Sequence, residues 1–259
     1  MSLVTTEALV LHAFDYLESS RIIRLATREL GVVSVLARGA RSSNRRFGLG
    51  LDLFASGVAQ LHVRPGRDLH ALGGFDLTSA RSALGADLGR FASASAAAEL
   101  ALRFAAGGEP GELFVELTQA FDRIAAAPSS AAIDIGLAVA WHLVGALGFA
   151  PAVDQCARCH ADLDAEASVT FSHAAGGAAC AACAGCAGAV PRGRALPPEA
   201  RRALAHWSAG GDVALPDDAA RRAHLRLLRE FLEQHLADGR PLRALASWER
   251  QVAGAGVTG

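Results

Sequence analysis

A chain of 259 residues is long enough for two or three compact domains, each with its own core. Its formal net charge of −1 argues against a uniformly basic coat for nucleic acid, yet leaves room for a local one. All 25 Lys+Arg residues are arginine, which excludes a Walker A lysine, a Schiff-base lysine and a Ser–Lys pair.

The N-terminal stretch meets Glu7 and Asp15 early and has no cleavage-like region, so no secretory signal is expected. A cytoplasmic chain keeps its thiols reduced and available to metals. Residues 7–14, 21–30, 31–39, 53–63 and 69–77 are short, rich in Val, Leu and Ile, and separated by turn residues, which predicts five β-strands. Gly31 and the Pro65–Gly66 pair sit where tight turns need them. Five strands in about 80 residues suit a small closed barrel of the OB type, because closure removes exposed sheet edges.

The third predicted strand runs into "LARGARSSNRRFGLG", which carries Arg38, Arg41, Arg45 and Arg46. No Asp or Glu occurs between Leu30 and Leu51. Guanidinium groups hold phosphates through a planar fork that stays charged, so this loop on a barrel rim is a candidate track for a nucleic-acid backbone. The competing reading is a solvated turn whose arginines pair with acids elsewhere in the chain. Phe47 and Phe54 are the nearest aromatic residues in sequence, and with so few rings binding is expected to be mainly electrostatic.

From about Ser79 the apolar period becomes helical, with helices predicted over 88–106, 110–127, 131–149, 197–207 and 216–236. The most apolar run, 135–153, is interrupted by His142 and closed by Pro151, and is read as a buried helix with no membrane role. Residues 251–259 are expected to be a disordered tail.

Inserted among the helices is C-x2-C-x20-C-x2-C, formed by Cys156, Cys159, Cys180 and Cys183. Two residues between cysteines let one tight turn aim both sulfurs at a point about 2.3 Å away. Residues 151–190 contain few large apolar side chains beyond Val153, Leu163, Val169, Phe171 and Val190, so they cannot build much of a core without a staple. A structural Zn2+ held by four thiolates is the leading expectation. The alternative is an iron–sulfur or redox protein built on Cys180, Cys183 and Cys186, a ferredoxin-like run whose fourth cysteine position is Val190. Metal-free buried thiols are the third reading. Cys186 is surplus to the four-cysteine site; His160 and His173 are candidate replacement ligands, with the preferred reading that they lie on the surface or behind the ligands.

The fold class expected is therefore α+β. A five-stranded OB-type barrel (1–80) is followed by a helical domain in two parts (81–150 and 191–250) around a zinc module (151–190). The segments "EALVL", "LATRELGVVSVLARGARSSNRR", "CARCH…VTFSHAAGGAACAAC" and "HLADGRPLRALASWE" together resemble the bacterial RecO family of DNA repair and recombination mediators. The resemblance implies a non-enzymatic, cytoplasmic and nucleoid-associated mediator of the RecF pathway. Such a protein binds single- and double-stranded DNA, anneals strands and engages RecR. It also contacts the single-stranded-DNA-binding protein and helps load RecA on DNA which that protein covers. By position, Arg38, Arg41, Arg45 and Arg46 would contact DNA, and the four paired cysteines would hold zinc. The sequence departs from the family pattern in its lysine-free basic positions, in His160 and in the extra Cys186.

Overall fold

The computed structural model describes residues 2–41, 47, 51–104, 109–186, 193–236 and 241–255. The five expected strands form as β1 (Ser2–Tyr16), β2 (Ser20–Thr27), β3 (Gly31–Ala37), β4 (Ser56–Val63) and β5 (Leu69–Ser79). The first pairs with the second, the second with the third, the third with the fifth, the fifth with the fourth, and the fourth with the first. The ring therefore closes into a barrel. Only β3 and β5 run parallel. Strand alternation sends Val10, Ile23, Leu25, Val35, Leu61 and Phe75 into the interior. The β2–β3 turn works as expected from its glycine: Gly31 adopts φ +68°, and the Thr27 hydroxyl donates to its carbonyl at 2.9 Å.

Three helices follow, α1 (Ser82–Ala86), α2 (Leu88–Phe104) and α3 (Pro110–Ala126). A boundary near residue 80 separates strands from helices in sequence, but the compact unit extends to Ala127. The reason lies in the packing. Phe54, only 2% exposed, meets Phe91 of α2 and Phe121 of α3 edge-on, at 5.7 and 5.1 Å. The nearly buried Arg81 side chain donates to the Phe54 carbonyl at 2.9 Å and to Asp122 at 2.7 Å, tying the strand exit to α3. The alanine-rich face of α2 buries Ala94, Ala97 and Ala101, and such small side chains permit close helix approach.

The second unit runs from Pro128 onward. It holds α4 (Ala132–Val144), α6 (Pro198–Ser208), α7 (Asp218–Leu236) and α8 (Arg243–Ala255), with a small sheet and the five-residue α5 (Ala181–Gly185) between α4 and α6. Segment Ser129–Phe149 has a mean hydropathy of 1.7, long and apolar enough by composition to cross a membrane. Here it is the core helix: Leu137, Trp141 and Val144 are fully buried, and the helix packs on α6 and α7. Trp207 of α6 and Trp248 of α8 are buried as completely. Asp134 of α4, almost inaccessible, accepts two hydrogen bonds from Arg221 of α7 at 2.8 and 2.9 Å. The expected tail at 251–259 is corrected over its first part. Residues 251–255 are the last turns of α8, held by the burial of Leu245, Trp248 and Val252 on one helical face. Residues 256–259 lie outside the described residues.

Candidate metal centre and nucleic-acid face

The four paired cysteines come together from two local structures. Cys156 opens a tight turn in which its N–H donates to the Ala161 carbonyl at 2.8 Å and its carbonyl accepts from the His160 N–H at 2.9 Å. His160 closes that turn in the left-handed region, φ +60°, and the bridge Gln155↔Asp162 flanks it. The chain then forms β6 (Val169–Ser172) and returns through β7 (Gly177–Ala179), with β8 (Arg194–Leu196) on the other side of β6. The return strand lies hard against the first limb. The Ala178 N–H donates to the Ala152 carbonyl at 2.7 Å, and a Cβ on Gly177 would fall 2.2 Å from that oxygen. The second limb then delivers Cys180 as the N-cap of α5, where its sulfur accepts the Cys183 N–H at 3.4 Å.

All four Sγ atoms lie within 4.8 Å of one another, and those of Cys159 and Cys180 are 3.8 Å apart. Sulfurs placed about 2.3 Å from a tetrahedral centre have edges of about 3.8 Å, so the spacing suits a four-thiolate metal site. The protonation chemistry points the same way. Burial opposes ionisation of Cys156, but N–H groups of Cys159, Cys180 and Arg158 outweigh it and hold the thiol down at about 6. Hydrogen bonds with the sulfurs of Cys180 and Cys159 push Cys183 up to about 12. Crowded sulfurs of this kind do not all ionise together without a cation to compensate them.

Cys186 is exposed at the end of α5 and is not one of the four. The three-cysteine run is therefore split by the fold. His160 is exposed, and neither it nor His173 belongs to the group. The His173 Nε2 instead meets Glu230 of α7 at 3.1 Å. The module is not free-standing: fully buried Phe171 of β6 packs 6.1 Å from Phe231, which in turn lies 5.5 Å from Trp141.

In the barrel, Arg38 leaves the end of β3 exposed, with no ion pair to another described residue. Arg41 is also exposed, but its Nε lies 3.5 Å from an oxygen of Asp15, whose other oxygen accepts from Arg21 at 3.1 Å. The Arg41 N–H donates to the Ser19 carbonyl at 3.0 Å, which docks the loop onto the β1–β2 turn. The acid-free stretch is thus acid-free only in sequence, and Arg41 realises part of the ion-paired alternative. Arg45 and Arg46 lie outside the described residues. Phe47 and Phe54, the aromatics nearest in sequence, are 3% and 2% exposed and belong to packing. Sequence reading passed over Arg64 and Arg67, exposed in the β4–β5 turn. That turn borders β3 because Leu69 pairs with Ser34. The signal is present in "VRPGRDL", where the two arginines flank the Pro65–Gly66 turn.

Two family profiles tile the chain: "Recombination protein O N terminal" over residues 1–81 and "Recombination protein O C terminal" over residues 85–245. The chain belongs to the RecO family. It is 40% identical over 253 residues to the DNA repair protein RecO of Anaeromyxobacter sp. strain K, covering 94% of this chain and 95% of that one. The RecO of Anaeromyxobacter dehalogenans strain 2CP-1 is 41% identical over 244 residues, 91% of each chain. The RecO of Geobacter metallireducens is 34% identical over 171 residues, 64% of this chain and 67% of that one. Membership covers both units: the N-terminal profile spans the barrel and the C-terminal profile spans the four-cysteine module.

Proposed function

We propose that this RecO-family chain is a non-enzymatic recombination mediator of the RecF pathway. It binds single- and double-stranded DNA through Arg38 and Arg41 at the exit of β3, with Arg45 and Arg46 completing the loop. It anneals complementary strands and acts with RecR to help load RecA on DNA covered by the single-stranded-DNA-binding protein. The place of action is the cytoplasm, at the nucleoid. The metal is a structural Zn2+ on Cys156, Cys159, Cys180 and Cys183. Four thiolates leave no open position for water, so the ion would hold the module together and supply no hydrolytic chemistry.

The observation that carries this reading is Arg38. It is an exposed guanidinium without a described ion pair, at the strand exit of an OB-type barrel, in a family named for DNA repair. Its test is the double substitution Arg38→Glu, Arg41→Glu in the full chain. Binding to single-stranded DNA should be mostly lost at unchanged melting temperature, because both side chains are exposed. If all four arginines of the loop hold phosphates, log affinity against log salt should have a slope of roughly −3 in the wild type. Unchanged affinity in the double variant would overturn the assignment.

A further inference from the structure

The β1–β2 hairpin continues past the irregularity at Val10/His12 to the turn at residues 17–19. Pairing continues to Tyr16↔Ser20, and the side chains of opposed residues share a face. Alternation therefore sets His12, Phe14 and Tyr16 on one side of β1, with Arg24 opposite His12 and Ile22 opposite Phe14. The rows continue across the sheet. Arg24 pairs with Ser34 and that with Leu69, while Ile22 pairs with Leu36 and that with Ala71. Ile23 and Val35, on the opposite face, are the fully buried interior.

This outer face is unusual for its exposed rings. Phe14 is 44% and Tyr16 41% exposed, and the His12 and Phe14 rings stand 5.7 Å apart. Arg24 lies among them, its Nε inaccessible to solvent and without a hydrogen-bond partner among the described residues. Arg38 follows the end of β3, and Arg64 and Arg67 lie in the turn that leads to Leu69, whereas Arg21 and Arg41 meet Asp15, which alternation sets on the opposite side of β1. Planar rings with Arg24 among them and further guanidinium groups at the neighbouring strand ends match a ligand that is both flat and anionic. Rings on alternate residues of a strand stand about 6.8 Å apart. That is twice the roughly 3.4 Å per nucleotide of a duplex strand, so the face suits bases drawn out of a stack.

We infer that His12, Phe14 and Tyr16, with Arg24 between them, form a base-stacking platform for single-stranded DNA, whose phosphates the surrounding arginines hold. The inference rests on the reading of Arg38 and Arg41 as phosphate contacts and adds to it the element that distinguishes single strands from duplex. Every base has a π-face, so the platform is tolerant of sequence.

Tyr16 is the chain's only tyrosine, which gives a direct probe. In full-length protein labelled with 3-fluorotyrosine, the single 19F resonance should shift on addition of a thymidine 20-mer. An abasic 20-mer with the same phosphates should bind more weakly and leave the resonance in place. Phe14→Ala with Tyr16→Ala should lower affinity for the thymidine strand by about 5- to 100-fold. Binding to duplex and the salt slope should stay unchanged in that variant. Equal affinity for thymidine and abasic strands, with Tyr16 unmoved by either, overturns the platform while Arg38→Glu still weakens both. Failure of both strands to bind overturns the platform together with the phosphate reading beneath it.

Discussion

Asp15 is the acid that meets Arg41 of the arginine loop, and Asp15→Asn tests whether the charge there governs DNA affinity. Asp15 contacts Arg21 at 3.1 Å and Arg41 at 3.5 Å, so the three side chains carry a net charge of +1, which the substitution raises to +2. All three are substantially exposed, and exposed pairs contribute about 0.2–1 kcal/mol each, so melting should shift little. One unit charge about 7 Å from a phosphate in water is worth roughly 332/(80 × 7), or about 0.6 kcal/mol. Binding should therefore tighten about threefold at low salt. One more arginine released to phosphate should steepen the salt slope for single strands by about 0.7. The gain should disappear near 1 M salt, where the Debye length shrinks to about 3 Å. Fluorescence anisotropy of a labelled thymidine 20-mer, titrated at several salt concentrations, reads all three quantities. Unchanged or weaker binding at about 50 mM salt, with the fold intact, would refute the reasoning.

Two other outcomes concern the second unit. Cys180→Ser should lose bound zinc and lower the melting temperature, whereas Cys186→Ser should do neither, as metal analysis and calorimetry will show; a brown protein with a band near ~400 nm would replace zinc with an iron–sulfur cluster. His224, 3% exposed against Trp207, is pushed down by burial to about 4 from its usual 6.5, with Asp134 opposing the shift. The unfolded chain therefore takes up a proton that the folded one refuses. Stability should fall as pH drops from 6.5 towards 4, by up to about 3 kcal/mol from this residue. His224→Leu should flatten that part of the pH profile, and an unaltered profile would show the loss to come from other groups.

The strand and helix segments, the buried character of α4 and the grouping of the four paired cysteines are legible in sequence because each rests on local information. Alternating apolar residues specify a half-buried strand, a three-to-four step specifies a helix, and C-x2-C is a single turn that converges two sulfurs. The interruption of segment 135–153 by His142 marks it as a core helix in sequence, and Trp141 and Val144 are fully buried.

Other features depend on contacts between residues far apart in the chain. The barrel's unit takes in α2 and α3 because Phe54 and Arg81 bind them, and no periodicity encodes that partnership. A stretch without acids from Leu30 to Leu51 still meets Asp15, which hairpin register carries to Arg41. Likewise His12, Phe14 and Tyr16 read in sequence as three residues of an ordinary strand. Only pairing with β2 sets them beside Arg24, on a face where Phe14 and Tyr16 remain exposed. Local sequence determined which side chains could act. Register and closure of the barrel decided which of them stand together, because exposure and charge pairing are set by neighbours across strands and not along one.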